Sequence, residues 1–279
     1  MSTYQLAHNY SDKSLEGFWW MSDDMTQQFI RNGQFLIMDT TFNTNRYGFK
    51  LLFVAGIDHG GKSVILSCAV FMHETTVNFE WVLECMKKHV GQDAWSRVQS
   101  VATDGDEAMA SAIQKVLPSA KQQRCIFHIM QNIRKNVVVQ KQGGKSIDRL
   151  LIKFDTVAHL ENEQQFEAQW QSLMKEYPSA SNYLSKNIYT TREKWAKPWT
   201  RKMTNFGTRS TQRVECLNYI LKMNHDITGG TYFHDLYDKV QSMVARIIST
   251  RNKYKNYAKA LSTGKADRAI SFQEQVSQL

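Results

Sequence analysis

Residues 34–72 read QFLIMDTTFNTNRYGFKLLFVAGIDHGGKSVILSCAVFM. Three compact apolar runs, Gln34–Phe42, Gly48–Asp58 and Ser63–Met72, are separated by short polar connections, the second of them the turn signal Asp58-His59-Gly60-Gly61. Such runs with tight links predict an antiparallel meander. The middle of each run is apolar at consecutive positions, so both faces of this sheet are expected to be covered.

Downstream the period changes. Thr76–Val90 places Phe79, Val82, Leu83 and Met86 on one helical face. Val98–Thr103 reads as a fourth strand, Asp106–Val116 as a helix, Gln122–Ile126 as a short fifth strand and His128–Val139 as a helix. Three antiparallel strands followed by alternating helix and strand predict a mixed α/β sheet with a parallel part. From about Lys145 the strand signal vanishes. Ile147–Ala158 and Glu163–Glu176 are helical, residues 189–208 are irregular, Ser210–Met223 is helical, and Tyr232–Ala260 reads as a long amphipathic helix. The resulting division is a helical lead-in over 1–33, a first core part over 34–140, a helical insertion over 141–208, final core helices over 209–262 and a polar tail over 263–279.

The 279 residues are 42% hydrophobic and 22% charged, which suits a folded core and excludes a disordered class. A net charge of +9 suggests an anionic partner, nucleic acid first. Two stretches hold it. Lys121, Arg124, Arg134, Lys135, Lys141, Lys145, Arg149 and Lys153 stand against Asp148 alone. Lys186, Arg192, Lys194, Lys197, Arg201, Lys202, Arg209, Arg213 and Lys222 stand against Glu193 and Glu215. In the second, Trp195, Trp199 and Phe206 interleave with the cations, which suits phosphates and bases; a solvated face over a tryptophan core explains it equally. Cys68, Cys85, Cys125 and Cys216 are scattered, unlike a secreted disulfide framework. The start carries no apolar signal-peptide core, and the apolar runs are too short to span a bilayer. The expectation is a soluble protein of a reducing compartment.

Asp39 and Asp104 each end the apolar half of a strand, in FLIMDTT and VATDGDEAM. Neighbouring strands would bring the two carboxylates together, a hard-oxygen pair suited to Mg²⁺ and to phosphodiester chemistry on two ions about 3.5–4 Å apart. Aspartates also end strands for turn chemistry alone. Asp106 precedes EAMASAI and fits a helix N-cap. Cys125-Ile-Phe-His128 is at most half a zinc site, with no second Cys or His pair at a finger-like distance, so a structural or active-site role is favoured over a closed zinc site. Glu215, in TRSTQRVECLNYILK, is either a helix charge pair or a third ligand brought onto the sheet.

In order, these residues resemble a known family: D-T-T-F-x-T-N-x-Y-x-F, E-T-T-x-x-F-x-W-V-L, A-T-D-G-D-x-A-M-x-x-A-I, C-x-x-H-x-x-x-N and S-T-Q-R-V-E-x-L-N are similar to the Mutator-like element (MULE) transposases and to the plant transcription factors of the far-red-impaired-response type descended from them. The likeness runs from about Gln34 to Met223. It implies an RNase H-like catalytic core with a DDE triad. Carried over by motif, the triad is Asp39, Asp104 and Glu215, holding two Mg²⁺ or Mn²⁺ ions. It also implies an all-helical insertion before the glutamate. The implied reaction is metal-dependent cleavage of transposon-end DNA and strand transfer into target DNA. Cys125 and His128 match the family's Cys-x-x-His, with no role assigned. Arg124, Arg134, Lys135, Lys194, Lys197, Arg201, Lys202, Arg209 and Arg213 are expected to hold the DNA backbone. The expected compartment is the nucleus, with no membrane partner and with homo-oligomers left open. Cysteine patterns of the zinc domains that longer relatives carry are absent, so end recognition is expected from elsewhere. Two other readings stand beside the transposase: a domesticated DNA-binding regulator without turnover, and an enzyme cutting RNA–DNA hybrids.

Overall fold

A computed structural model describes residues 2–8, 15–139 and 146–262. Seven strands form one mixed sheet: β1 (Ser2–His8), β2 (Leu15–Ser22), β3 (Phe35–Thr41), β4 (Lys50–Ile57), β5 (Ser63–Phe71), β6 (Ser100–Thr103) and β7 (Lys121–Arg124). Their spatial order is β1-β2-β5-β4-β3-β6-β7. The first five pair antiparallel with one another, while β6 runs parallel to β3 and β7 parallel to β6. The meander predicted at 34–72 is thus the centre of the sheet. Asp58 closes its second hairpin, its Oδ1 accepting the N–H groups of Gly60 and Lys62 at 2.9 Å each.

The lead-in expected as helix over 1–33 is instead two strands and one helix, α1 (Asp23–Asn32). Trp19 and Trp20 explain the difference. Trp19 donates its indole N–H to Ser67 (2.8 Å) and meets the ring of His89, whereas Trp20 lies against Tyr237 on the opposite face. Consecutive residues on opposite faces are the geometry of a strand covered on both sides, which shows no alternation in sequence. Ser22 then stops the strand by capping α1, its hydroxyl accepting the Met25 N–H.

Helices cover both faces. The helices α2 (Thr76–Val90), α3 (Gln92–Trp95) and α4 (Glu107–Val116) follow the meander, α2 packing on α4 and, with α1, against β5. The next helix is α5 (Ile126–Asn136), after β7. The insertion comprises α6 (Ile147–Ala158), α7 (Glu163–Glu176), α8 (Pro178–Tyr183), a π turn at Leu184–Ile188, a 3₁₀ turn at Tyr189–Lys194 and α9 (Lys197–Thr200). α10 (Gln212–Asn224) packs on β3 and β4, with α11 (Phe233–Ser262) beside it. The polar tail expected at 263–279 lies outside the described residues, as do Lys141 and Lys145.

Two apolar cores result. One lies on both faces of the sheet. The other is built from Phe154, Phe166, Trp170 and Trp195, and it includes Ile129 and Ile133 of α5. The insertion's packing therefore starts at α5, earlier than the boundary expected at 141. Trp195 is a core residue, its indole N–H donated to the Ile188 carbonyl at 3.0 Å. Trp199 packs edge-on to Phe166 at the margin of the same core.

Candidate active site and its relatives

Strand pairing sets the first two carboxylates. Phe35, Leu36 and Ile37 lie opposite Ser100, Val101 and Ala102. Continuing that register by two residues puts Asp39 across from Asp104, where adjacent strands are about 4.8 Å apart. α10 supplies Glu215 in its first turn. Asp39, Asp104, Glu215 and His128 line one open cleft of ≈ 440 Å³ with Thr40, Thr41, Phe42, Asn218, Tyr219 and Lys222. The structure therefore brings together the three acids that the sequence keeps far apart.

Their surroundings differ. Asp39 is 7% exposed. Burial pushes its carboxyl up to about 7, helped by Asp104 and Glu215 and opposed by His128. Asp104 is half-buried, its Oδ1 accepting the Asp106 N–H at 2.9 Å. Asp106 caps α4, its Oδ1 accepting the Met109 N–H at 2.8 Å. The two acids of VATDGDEAM thus do separate work. Gly105 between them has φ +96°, and a Cβ there would lie 2.6 Å from Arg124 Nε. We expect Gly105→Ala to cost about 1–3 kcal/mol, read as a drop of several degrees in thermal melting; an unchanged melt would show that Arg124 yields freely.

Cys125 is fully buried and His128 lies half-buried one turn on, both at the start of α5. Their mutual hydrogen bond raises the imidazole to about 9. It also draws the thiol below its usual value despite burial. His128 Nε2 stands 3.8 Å from Glu215 Oε1. Thr211, buried at the head of α10, donates its N–H to Cys125 Sγ (3.3 Å) and its hydroxyl to Glu215 Oε1 (3.3 Å). The same hydroxyl lies 3.4 Å from His128 Nδ1.

The basic residues expected on DNA are spread over several tasks. Arg124 donates to Thr191 Oγ1 (2.9 Å) and Arg209 to the Ala158 carbonyl (3.0 Å), tying sheet and α10 to the insertion. Arg213 bonds the Gly61 carbonyl (2.9 Å). Arg134 pairs with Asp148, Lys197 and Arg201 with Glu161, and Lys202 with Glu163. Lys194 donates to Gln122, and Lys135 is exposed. Sequence reasoning counted Lys222 in a basic stretch without a place in the cleft, and it passed over Asn218. Lys222 donates to Thr41 Oγ1 (2.7 Å), and Asn218 is buried with its Oδ1 unpartnered. Their spacing from Glu215, i+3 and i+7 on one helix, was the available signal. No helix among the described residues is long and apolar enough to cross a membrane.

Comparison with known proteins places part of the cleft in a recognised domain. Residues 35–132 match the MULE transposase domain, a span that carries Asp39, Asp104, Cys125 and His128 and ends before Glu215. Protein FAR1-RELATED SEQUENCE 5 of Arabidopsis thaliana is 26% identical over 236 residues, 82% of this chain and 28% of that protein. Protein FAR-RED IMPAIRED RESPONSE 1 of the same plant is 19% identical over 74% of this chain and 24% of its own length. PKS-NRPS hybrid synthetase cheA of Chaetomium globosum is 26% identical over 67% of this chain and 4% of that protein. The chain spans less than a third of each of these relatives. By its domain match and its relatives, the chain is similar to the MULE transposases over residues 35–132 and to FAR1-type proteins over most of its length.

Proposed function

We propose that this chain is the catalytic core of a DDE transposase, with an RNase H-like fold, acting on DNA in the nucleus. The fold reading is supported by the order of the five strands from β5 to β7. Numbered along the chain from β3, they run 3-2-1-4-5, with the parallel part last. The observation that carries the functional reading is the convergence of Asp39, Asp104 and Glu215 in one cleft.

That cleft fits a hard divalent cation. Its three carboxylates offer oxygen donors only, and burial together with two neighbouring acids raises Asp39 to about 7, so a bound cation would favour its ionised form. Asp39, Asp104 and Glu215 would hold Mg²⁺ or Mn²⁺, two ions in this reading. Bound there, the metal supplies Lewis-acid stabilisation of the phosphodiester and activates the attacking oxygen, first of water and then of a DNA 3′-hydroxyl. The chain's own groups do the rest. Lys222 and His128 present cations at the rim and wall of the cleft for a phosphate to lie against. Asn218 lines the same cleft, with its Oδ1 buried and unpartnered.

Supercoiled circular DNA incubated with the protein and Mg²⁺ should convert to the nicked form, and should stay intact with a chelator present. A second reading, a transposase-derived DNA-binding regulator without turnover, is favoured by the likeness to FAR1-type proteins. DNA retention without any Mg²⁺- or Mn²⁺-dependent nicking would select it over the first.

A further inference from the structure

The Cys-x-x-His pair looked like half a zinc site because its partners were sought among cysteines and histidines. The third donor is a carboxylate from a different part of the chain. One ligand atom each from Cys125, His128 and Glu215 lie within 4.8 Å of one another. Thiolate, imidazole and carboxylate form a donor set that zinc accepts and magnesium does not favour. Around a tetrahedral zinc such atoms stand about 3.3–3.6 Å apart, so the three side chains need to close by about 1 Å.

A second observation concerns the surroundings of these donors. The single residue Thr211 touches all three, through its backbone N–H to sulfur and its hydroxyl to imidazole and carboxylate. Metal sites are oriented by such outer contacts, here from a buried helix cap that cannot swing away. Cys125 closes the inner side, while His128 and Glu215 face the cleft and leave a fourth position open toward it.

We propose that Cys125, His128 and Glu215 bind one zinc ion, which withdraws Glu215 from the pair of aspartates. Occupancy by zinc is then a brake on any reaction that needs Glu215 with Asp39 and Asp104. The proton shared by thiol and imidazole leaves to solvent when both atoms take the metal. The braking effect rests on the triad reading; the binding itself does not.

Cobalt(II) is the probe, because a thiolate ligand gives it an intense near-ultraviolet charge-transfer band. Metal-stripped protein of all 279 residues should develop that band with one equivalent of cobalt(II), and zinc should abolish it. Cys125→Ser and His128→Gln should each remove the band, while Cys216→Ser, at the exposed thiol next to Glu215, should keep it. Thr211→Val should weaken cobalt binding by about 10- to 100-fold. Asp39→Asn should leave the band in place. A wild-type titration without the band, or a band surviving in Cys125→Ser, overturns the site. Should Cys125→Ser fail to fold, an unchanged band in His128→Gln does the same. Protein that shows the band yet never nicks DNA refutes the triad reading and leaves the zinc site standing. Protein that nicks DNA but shows no band refutes the zinc site alone.

Discussion

Asp104→Asn is expected to lower metal-dependent DNA nicking by about 10³-fold or more, since a lost metal carboxylate removes several kcal/mol of transition-state stabilisation. The fold should survive. Asparagine keeps an Oδ1 that accepts the Asp106 N–H, so the turn into α4 stays closed. The check is nicking rate and thermal melting on the same preparation. Full nicking by a normally melting variant would remove Asp104 from the chemistry, and with it the triad.

Asp39→Asn should have the same effect on nicking and the opposite effect on stability. The carboxyl titrates near 3.8 in an unfolded chain and at about 7 in the fold. Between those values the folded state binds the extra proton, so stability falls as pH rises, and the full cost is present above pH 7. At about 1.4 kcal/mol per pH unit across that window, the cost reaches about 4 kcal/mol. In metal-free protein at pH 8 the asparagine variant should therefore be the more stable, by up to that amount. Near pH 4 the difference should shrink to under about 1 kcal/mol. Added Mg²⁺ should narrow the gap at pH 8 by stabilising the wild type preferentially. Urea unfolding at both pH values measures this. A variant less stable than wild type at pH 8 would mean that Asp39 is not held ionised at a cost.

The sheet's centre was legible because turn chemistry punctuates it: Asp58-His59-Gly60-Gly61 bounds two apolar runs, and Asp106 marks the start of α4. β1 and β2 were not legible. LEGFWWMS is buried on both faces in its second half, so no period of two survives. In the site, Asp39 and Asp104 showed as acids ending apolar strands. Glu215 alone looked like any helix charge in a basic region, and only the ordered motifs singled it out. Lys222 was read only as one cation of a basic stretch and Asn218 drew no reading, although both have the right spacing, because nothing in a helix pattern says which stripe faces a cleft. Thr211's contacts to Cys125 and His128 join distant parts of the chain, which no local pattern encodes.

The two-stranded extension before α1 also bears on how the family-matched region can be isolated. The family match begins at residue 35, but the sheet continues through β2, which pairs with the edge of β5 and buries Trp19 and Trp20. A fragment begun at residue 35 would leave β5 as a long, apolar, unpaired edge and would strip α1 from the strands beneath it. Such an edge is a template for intermolecular strand pairing and aggregation. Poor solubility of that fragment would then report its boundary rather than any defect in the catalytic fold.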